Sequence, residues 1–247
     1  MRRRDLILGT VSLIAAWALL AWLVHSPVLP GPVEVFRAFI REVPRGLGRH
    51  FLVSGWRVVA SIVISMAIAV PAGLLLGQSP RLSRLFAPII YILYPIPKIV
   101  FLPIILLFLG IGNVSKVFII FLILFFQVLV VVGDQARALR PELIYSVRSL
   151  GAGRRALFRF VYLPATIPAA LTALRISVGT AIAVLFFAES FATTSGLGYY
   201  IIVESWGRLA YPEMYAGVLA MSILGLLLYF IVDLMERRLA PWMFVKD

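Results

Sequence analysis

The sequence predicts an all-α membrane protein with six transmembrane helices. Three observations predict it: 62% of residues are apolar and only 14% charged, the apolar residues fall in six long runs, and the basic residues are distributed unevenly between the segments joining those runs. A soluble domain of this balance would expose large apolar patches and aggregate. A helix needs roughly 20 mostly apolar residues to cross the hydrocarbon core, and runs of that order lie near 6–25, 52–77, 86–110, 115–133, 170–191 and 213–233. They leave room for one membrane domain over 1–247 and for no soluble one. Within it, 1–51 holds the first helix and an external segment, and 52–236 a five-helix core interrupted by a loop over 134–169.

The first run follows Arg2, Arg3 and Arg4 as a secretory signal would. Its apolar part is longer than a signal's, contains Trp17 and Trp22, and reaches Pro27 without a small-residue cleavage pattern, so a retained helix is expected. With the N-terminus inside, fourteen basic residues fall on the cytoplasmic side: Arg2, Arg3, Arg4, Arg81, Arg84, Arg137, Arg140, Arg148, Arg154, Arg155, Arg159, Arg237, Arg238 and Lys246. Six fall opposite: Arg37, Arg41, Arg45, Arg49, Lys116 and Arg208. That asymmetry follows the positive-inside rule and places both termini in the cytoplasm. The net charge of +12 is therefore a topology signal and not a nucleic-acid footprint.

Between the first and second runs, Glu34, Arg37, Arg41, Arg45 and Arg49 mark one helical face, while Val35, Phe36, Phe39, Ile40 and Val43 supply apolar positions. This pattern predicts an amphipathic helix on the outer surface, its arginines meeting lipid headgroups or a partner protein. The second run contains Pro71 and Gly73 and stops at Gly77. The third carries Pro95, Pro97 and Pro103, with Lys98 among them. Proline frees a carbonyl four residues earlier, so this helix kinks or breaks. Irregular backbone inside a membrane must be satisfied by protein or water, so Tyr94 to Lys98 packs between helices or lines a cavity. The fifth run ends at Glu189, and Tyr199, Tyr200, Trp206 and Tyr211 beyond it suit an interfacial aromatic belt.

Enzyme chemistry finds no footing. The two histidines, His25 and His50, are not spaced as a metal pair, and no Gly-x-Ser-x-Gly elbow is present. The absence of cysteine removes thiolate chemistry. No phosphate-cradling Gly-x-x-x-x-Gly-Lys-Ser/Thr loop exists, so any ATP hydrolysis belongs to another chain. Four polar residues interrupt apolar runs: Lys98, Gln127, Arg175 and Glu189. Such residues cost roughly 2.5–3.5 kcal/mol when charged and face the bundle interior or snorkel. Arg175 is expected to snorkel, and Glu189 to cap, bond between helices or gate. Tyr94, Pro97, Lys98, Gln127 and Glu189 are the candidates for a translocation pathway, with Lys98 foremost.

The loop over 134–169 is the informative one. Leu143, Val147 and Leu150 share one helical face, and Leu157 and Val161 another beyond Gly151 and Gly153. This predicts a short amphipathic helix, a glycine turn and a second short helix, offering an apolar knob with a basic rim to a cytosolic groove. The segment resembles the EAA loop of importer permeases: Gly151, Val161 and the Leu163–Pro164 pair stand at that pattern's spacing, while Tyr145, Ser146 and Val147 replace its Glu-Ala-Ala. Glu142 lies one turn before the missing glutamate. Pro-Ile-Pro-Lys at 95–98, Leu-Gly-Ile-Gly at 109–112 and Ala-Glu at 188–189 followed by Gly-Leu-Gly-Tyr at 196–199 are similar to permeases of the nitrate, sulfonate and taurine importer family.

The resemblance implies the MetI-like fold of type I ABC importer permeases in a bacterial inner membrane. It implies import of a small solute, with nitrate, sulfonates, taurine or a similar anion favoured. The alternatives are a vitamin or its precursor carried by the same machinery, then an exporter or a channel. It implies a homodimer, two cytosolic ATPase subunits and an external solute-binding protein, with ATP and Mg used by the ATPase and no cofactor bound by this chain. Contact with the ATPase then falls to Glu142, Tyr145, Ser146, Val147, Arg148, Leu150, Gly151, Arg154, Val161, Leu163 and Pro164.

Overall fold

The computed structural model of the chain describes residues 3–241, so Arg2 and Lys246, counted above among the basic residues, lie outside the described residues. The long helices are α1 (Arg3–Val24), α3 (Gly48–Gln78), α6 (Asn113–Arg137), α9 (Leu163–Ser190) and α11 (Tyr211–Leu239). Shorter ones are α2 (Pro32–Glu42), α4 (Pro80–Leu93), α5 (Leu102–Leu109), α7 (Pro141–Ser149), α8 (Arg154–Leu157) and α10 (Leu197–Tyr199). Five helical stretches are long and apolar enough to cross a membrane, and a sixth span results if α4 and the helical stretch 98–109 are counted together.

That sixth span is broken where the prolines of the 86–110 run predicted a kink or break, and it begins earlier than that run, at Pro80. It is bent by 79°. α4 stops at Leu93, Pro95 and Pro97 cannot donate backbone hydrogen bonds, and the chain resumes as a 3₁₀ turn over Lys98–Phe101 before α5. Three prolines in nine residues produce a break rather than a kink. Pro71 leaves α3 continuous, and Pro164 and Pro168, in the first two turns of α9, leave that helix continuous as well.

Contacts divide the chain into two units. The first comprises residues 1–55 and 189–224. Here the apolar window of α1 buries nothing inside the chain. Trp17 attaches it, donating from Nε1 to the Pro30 carbonyl at 3.1 Å and stacking on Tyr215. The amphipathic α2 forms where the sequence placed it and buries Val35 and Ala38. Its arginines are partly committed: Arg41 pairs with Glu42 and with Glu213 of α11, and Arg45 lies 3.8 Å from Glu42. Both remain exposed while they pair with these carboxylates.

The second unit comprises 56–188 and 225–247. Its centre is the pairing of α3 with α6. Arg57 Nε donates to Asn113 Oδ1 at 2.9 Å, Ser61 Oγ to the Val117 carbonyl and Ser65 Oγ to the Phe121 carbonyl, every pair 56 residues apart. The same offset continues where Gly73 and Gly77 meet the Leu129 and Gly133 carbonyls, so closely that a Cβ would come within 2.9 and 2.8 Å of them. A constant offset means the helices run parallel, and contacts four residues apart put a single ridge of α3 against a single ridge of α6. Small residues allow that approach, and their hydroxyls bond across it. Beside the ridge Ala69, Leu74, Val128, Leu129, Val132, Ala136 and Ala170 form a buried cluster.

α9 and α11 pack antiparallel in the same unit. Arg175 pairs with Glu236, and its Nη2 lies 4.0 Å from Asp233, while Thr172 Oγ1 donates to Glu236 at 3.3 Å. Arg175 therefore does not snorkel. Two carboxylates one turn apart on α11 hold its charge within the protein.

Candidate functional sites

Two places in the second unit and one in the first collect the residues that the sequence marked. α7 starts on Pro141, whose fixed φ suits a first turn, with Glu142 beside it. Ser146 and Ser149 bond back to the Glu142 and Ser146 carbonyls at 2.8 Å, which leaves the outer face of the helix to other side chains. Leu150 ends it, and Gly151 turns the chain at φ +83°, its N–H donating to the Arg148 carbonyl at 2.9 Å. Gly153 is extended and starts α8. The second helix is longer than the sequence indicated: α8 passes through a π turn at 158–162 straight into α9, so that 154–190 is one continuous element. Leu163 and Pro164 fall inside that element.

The turn therefore hinges on Gly151, between a free-standing α7 and the root of a span. Burial divides the segment accordingly. Leu157 and Val161 are buried and anchor it, whereas Leu143, Tyr145, Leu150 and Phe160 stand exposed, Leu150 at 86%. Arg148 and Arg154 are exposed at its sides, and Val147 is half-buried.

Tyr94, Pro97, Lys98 and Gln127 are brought together. They line one cavity of about 390 Å³ with Phe126 and, from α9, Thr180 and Val184. Lys98 is buried at its edge, its Nζ donating to the carbonyls of Leu93 and Tyr94 at 2.8 Å and of Ile96 at 3.2 Å. These carbonyls lie at and just beyond the C-terminal end of α4, where the proline break interrupts the helical ladder; the Leu93 carbonyl keeps a second bond, from the Ile96 N–H at 3.3 Å. The ammonium also lies 4.6 Å from the centre of the Phe126 ring. Lys98 thus closes the helix end and gives the cavity a positive edge. Gln127 Oε1 is buried without a hydrogen-bond partner, an acceptor on the cavity wall.

Glu189 belongs to a different constellation, in the first unit. It is fully buried and accepts from Ser54 Oγ at 2.7 Å and from the Gly198 N–H at 3.1 Å. Ser54 Oγ in turn accepts from the Leu197 N–H at 2.7 Å, and His50 Nδ1 accepts from the Gly196 N–H at 3.0 Å. His50 therefore carries its proton on Nε2, 3.5 Å from Glu204. Gly196 has φ +116°, and a Cβ there would lie within 2.5 Å of the Glu189 carboxylate atoms. The segment after α9 is thus held by buried side chains contributed from α3. Burial, together with the nearby carboxylates of Glu42, Glu213 and Glu204, raises the Tyr200 phenol above its ordinary range, so it stays protonated.

Sequence reasoning missed Ser54, His50, Thr180 and two buried cations, Arg57 at 2% exposure and Lys116 at 0%. Lys116 is partnered within the chain and does not face the outer medium as a loop charge would. A signal for Arg57 was present: residues 57, 61, 65, 69, 73 and 77 repeat a polar or small residue every four positions, which marks a packed helix face.

Broken and continuous spans around a cavity edged by Lys98 and Gln127, with an exposed helix-turn segment between two of them, define a helical membrane transport subunit. Over residues 69–245 the chain matches the family described as the binding-protein-dependent transport system inner membrane component. It is 32% identical to the taurine transport system permease protein TauC of Escherichia coli, over 98% of this chain and 90% of that protein. It is 29% identical to the putative aliphatic sulfonates transport permease protein SsuC of Bacillus subtilis, over 97% and 87% of the two chains. Its fold matches a chain of the inward-facing MetNI methionine ABC transporter with a TM-score of 0.63 at 21% identity, covering 78% of this chain and 95% of that one. The chain belongs to the binding-protein-dependent transport system inner membrane component family, as a multi-pass inner-membrane permease subunit of an ABC importer with a MetI-like fold.

Proposed function

We propose that this permease imports a small anion of the taurine, sulfonate or nitrate class, as a homodimer bound to two cytosolic ATPase subunits and served by an external binding protein. The observation that carries the coupling reading is the exposed α7 and its Gly151 turn, where Leu143, Tyr145 and Leu150 stand free of the chain's own core. Exposed apolar residues on a short helix with a basic rim suit a groove on a partner. Closure of the ATPases on ATP and Mg then pushes on 142–160, and the continuous element 154–190 carries the displacement into the membrane. This chain itself binds no nucleotide. Both termini lie in the cytoplasm in this reading; a reporter fused after Arg155 is then cytoplasmic and one within 197–205 external.

The names of the taurine and sulfonate relatives and the positive edge that Lys98 gives its cavity support an anionic cargo. A second reading, a neutral cargo such as a vitamin precursor, is favoured by one observation: three carbonyls already take up the Lys98 ammonium, while Gln127 Oε1 on the cavity wall is a buried acceptor without a partner. The test uses the assembled transporter in proteoliposomes. The external binding protein loaded with taurine should stimulate ATP hydrolysis and drive uptake of labelled taurine. Stimulation by a binding protein loaded only with a neutral solute would leave the importer reading standing and remove the anion. Uptake without ATP would remove the importer reading itself.

A further inference from the structure

A second cavity, of about 660 Å³, opens between the end of α3, the start of α4 and the α7–α8 turn. Four of its lining residues are arginines, Arg81, Arg84, Arg148 and Arg154, and none is acidic. Among the described residues no carboxylate pairs with any of the four, and Arg84 Nε reaches only the Pro80 carbonyl at 3.4 Å. On the same wall Gln78 Nε2 is buried without an acceptor. The four guanidinium groups and Gln78 Nε2 are all donors, and four like charges facing one space repel unless an anion lies between them. The planar guanidinium fork matches phosphate oxygens two at a time.

Leu75, Pro80 and Leu157 add apolar wall to the same cavity, beside Ser79 and Tyr162. Leu75 also lines a neighbouring groove of about 350 Å³ between α3, α4 and α6, whose lining residues, among them Leu82, Phe86, Ile89 and Phe125, are all apolar. The groove follows α4 from Leu82 to Leu93, a rise of about 16 Å at 1.5 Å per residue. That is roughly half of the ~30 Å hydrocarbon thickness, the depth of a single leaflet.

We propose that the arginine cavity and this groove together hold one anionic phospholipid, its phosphodiester among the four arginines and one acyl chain along α4. A free phosphate fits the charges but gives the groove no occupant. The membrane supplies both parts in one molecule, at the depth where two spans end. The site ties the α7–α8 turn to the bilayer. It rests on the membrane location of the chain and not on the cargo or coupling readings.

The full-length permease, purified in micelles, is titrated with phosphatidylglycerol or phosphatidylcholine and bound lipid is counted by native mass spectrometry. One phosphatidylglycerol should be retained in preference to phosphatidylcholine. Each arginine contributes roughly a fivefold preference, so Arg81→Gln with Arg84→Gln should weaken retention on the order of tenfold or more. Arg81→Lys with Arg84→Lys keeps the charge and most of the retention, which separates the charge effect from misfolding. Ile89→Trp, at a half-exposed groove position, should also weaken retention by filling the acyl site. Equal retention by the glutamine variant overturns the proposal. Displacement of the lipid by millimolar inorganic phosphate would make this a free-phosphate site, and displacement by the partner ATPase would assign the arginines to an acidic protein surface; either result removes the lipid.

Discussion

Two glycine turns in this permease share a positive φ and differ in what surrounds it. Gly151 at φ +83° has no atom within 4 Å of where a Cβ would stand, whereas at Gly196, φ +116°, that position is filled by the Glu189 carboxylate. The segment around Gly196 buries Leu197, Tyr200, Ile201 and Ser205 and donates its N–H groups to His50, Ser54 and Glu189. The segment around Gly151 exposes Leu143, Tyr145, Leu150 and Phe160. One turn is complete within the chain and the other presents apolar surface outward. Substitution should therefore cost stability at the first and partnership at the second.

The largest effect is expected at Gly196→Val. It forces a side chain both into a backbone region that only glycine adopts readily and into the Glu189 carboxylate. A loss on the order of 4 kcal/mol should appear as a lowered apparent melting temperature and a smaller yield of folded protein. Glu189→Ala leaves the Ser54 hydroxyl and the Gly198 N–H without this buried acceptor, which should cost about 2–3 kcal/mol by the same thermal measurement. An unchanged melting temperature there would show that water replaces the carboxylate as acceptor.

Lys98→Met tests a residue between these extremes. It removes the ammonium from three carbonyls, of which Leu93 keeps the Ile96 N–H, so stability should fall by roughly 1–3 kcal/mol, and Lys98→Arg should recover part of it. Full stability with lost uptake would move Lys98 from closing a helix end to contacting the cargo. Gly151→Val meets only open space, so its cost is limited to the left-handed conformation, about 1–2 kcal/mol. Substrate-stimulated ATP hydrolysis should nevertheless be lost while the permease stays in the membrane. If it melts as early as Gly196→Val, the contrast between the two turns fails. Leu150→Ser should change stability by less than about 0.5 kcal/mol, because that side chain is 86% exposed. Its effect should be confined to weaker retention of the ATPase subunit in pull-down.

The sequence by itself determined the helical class, the spans, the amphipathic α2 and the α7–Gly151 turn. Each is written in neighbouring residues: the length of an apolar run, a glycine where φ turns positive, three prolines where a helix must break. The four-residue repeat from Arg57 to Gly77 was equally legible in principle, although its partner face on α6 was not. Tertiary structure alone decided where the polar residues find their partners. Arg175, expected to reach the membrane surface, pairs with Glu236, and Glu189 meets Ser54 from 135 residues away. Lys116, counted as an outer charge, is buried. Lys98 turns back onto the carbonyls that its neighbouring prolines freed. In a low-dielectric interior, a buried polar group takes whichever acceptor or counter-charge the packing brings within about 3 Å, and packing joins residues that the sequence keeps far apart.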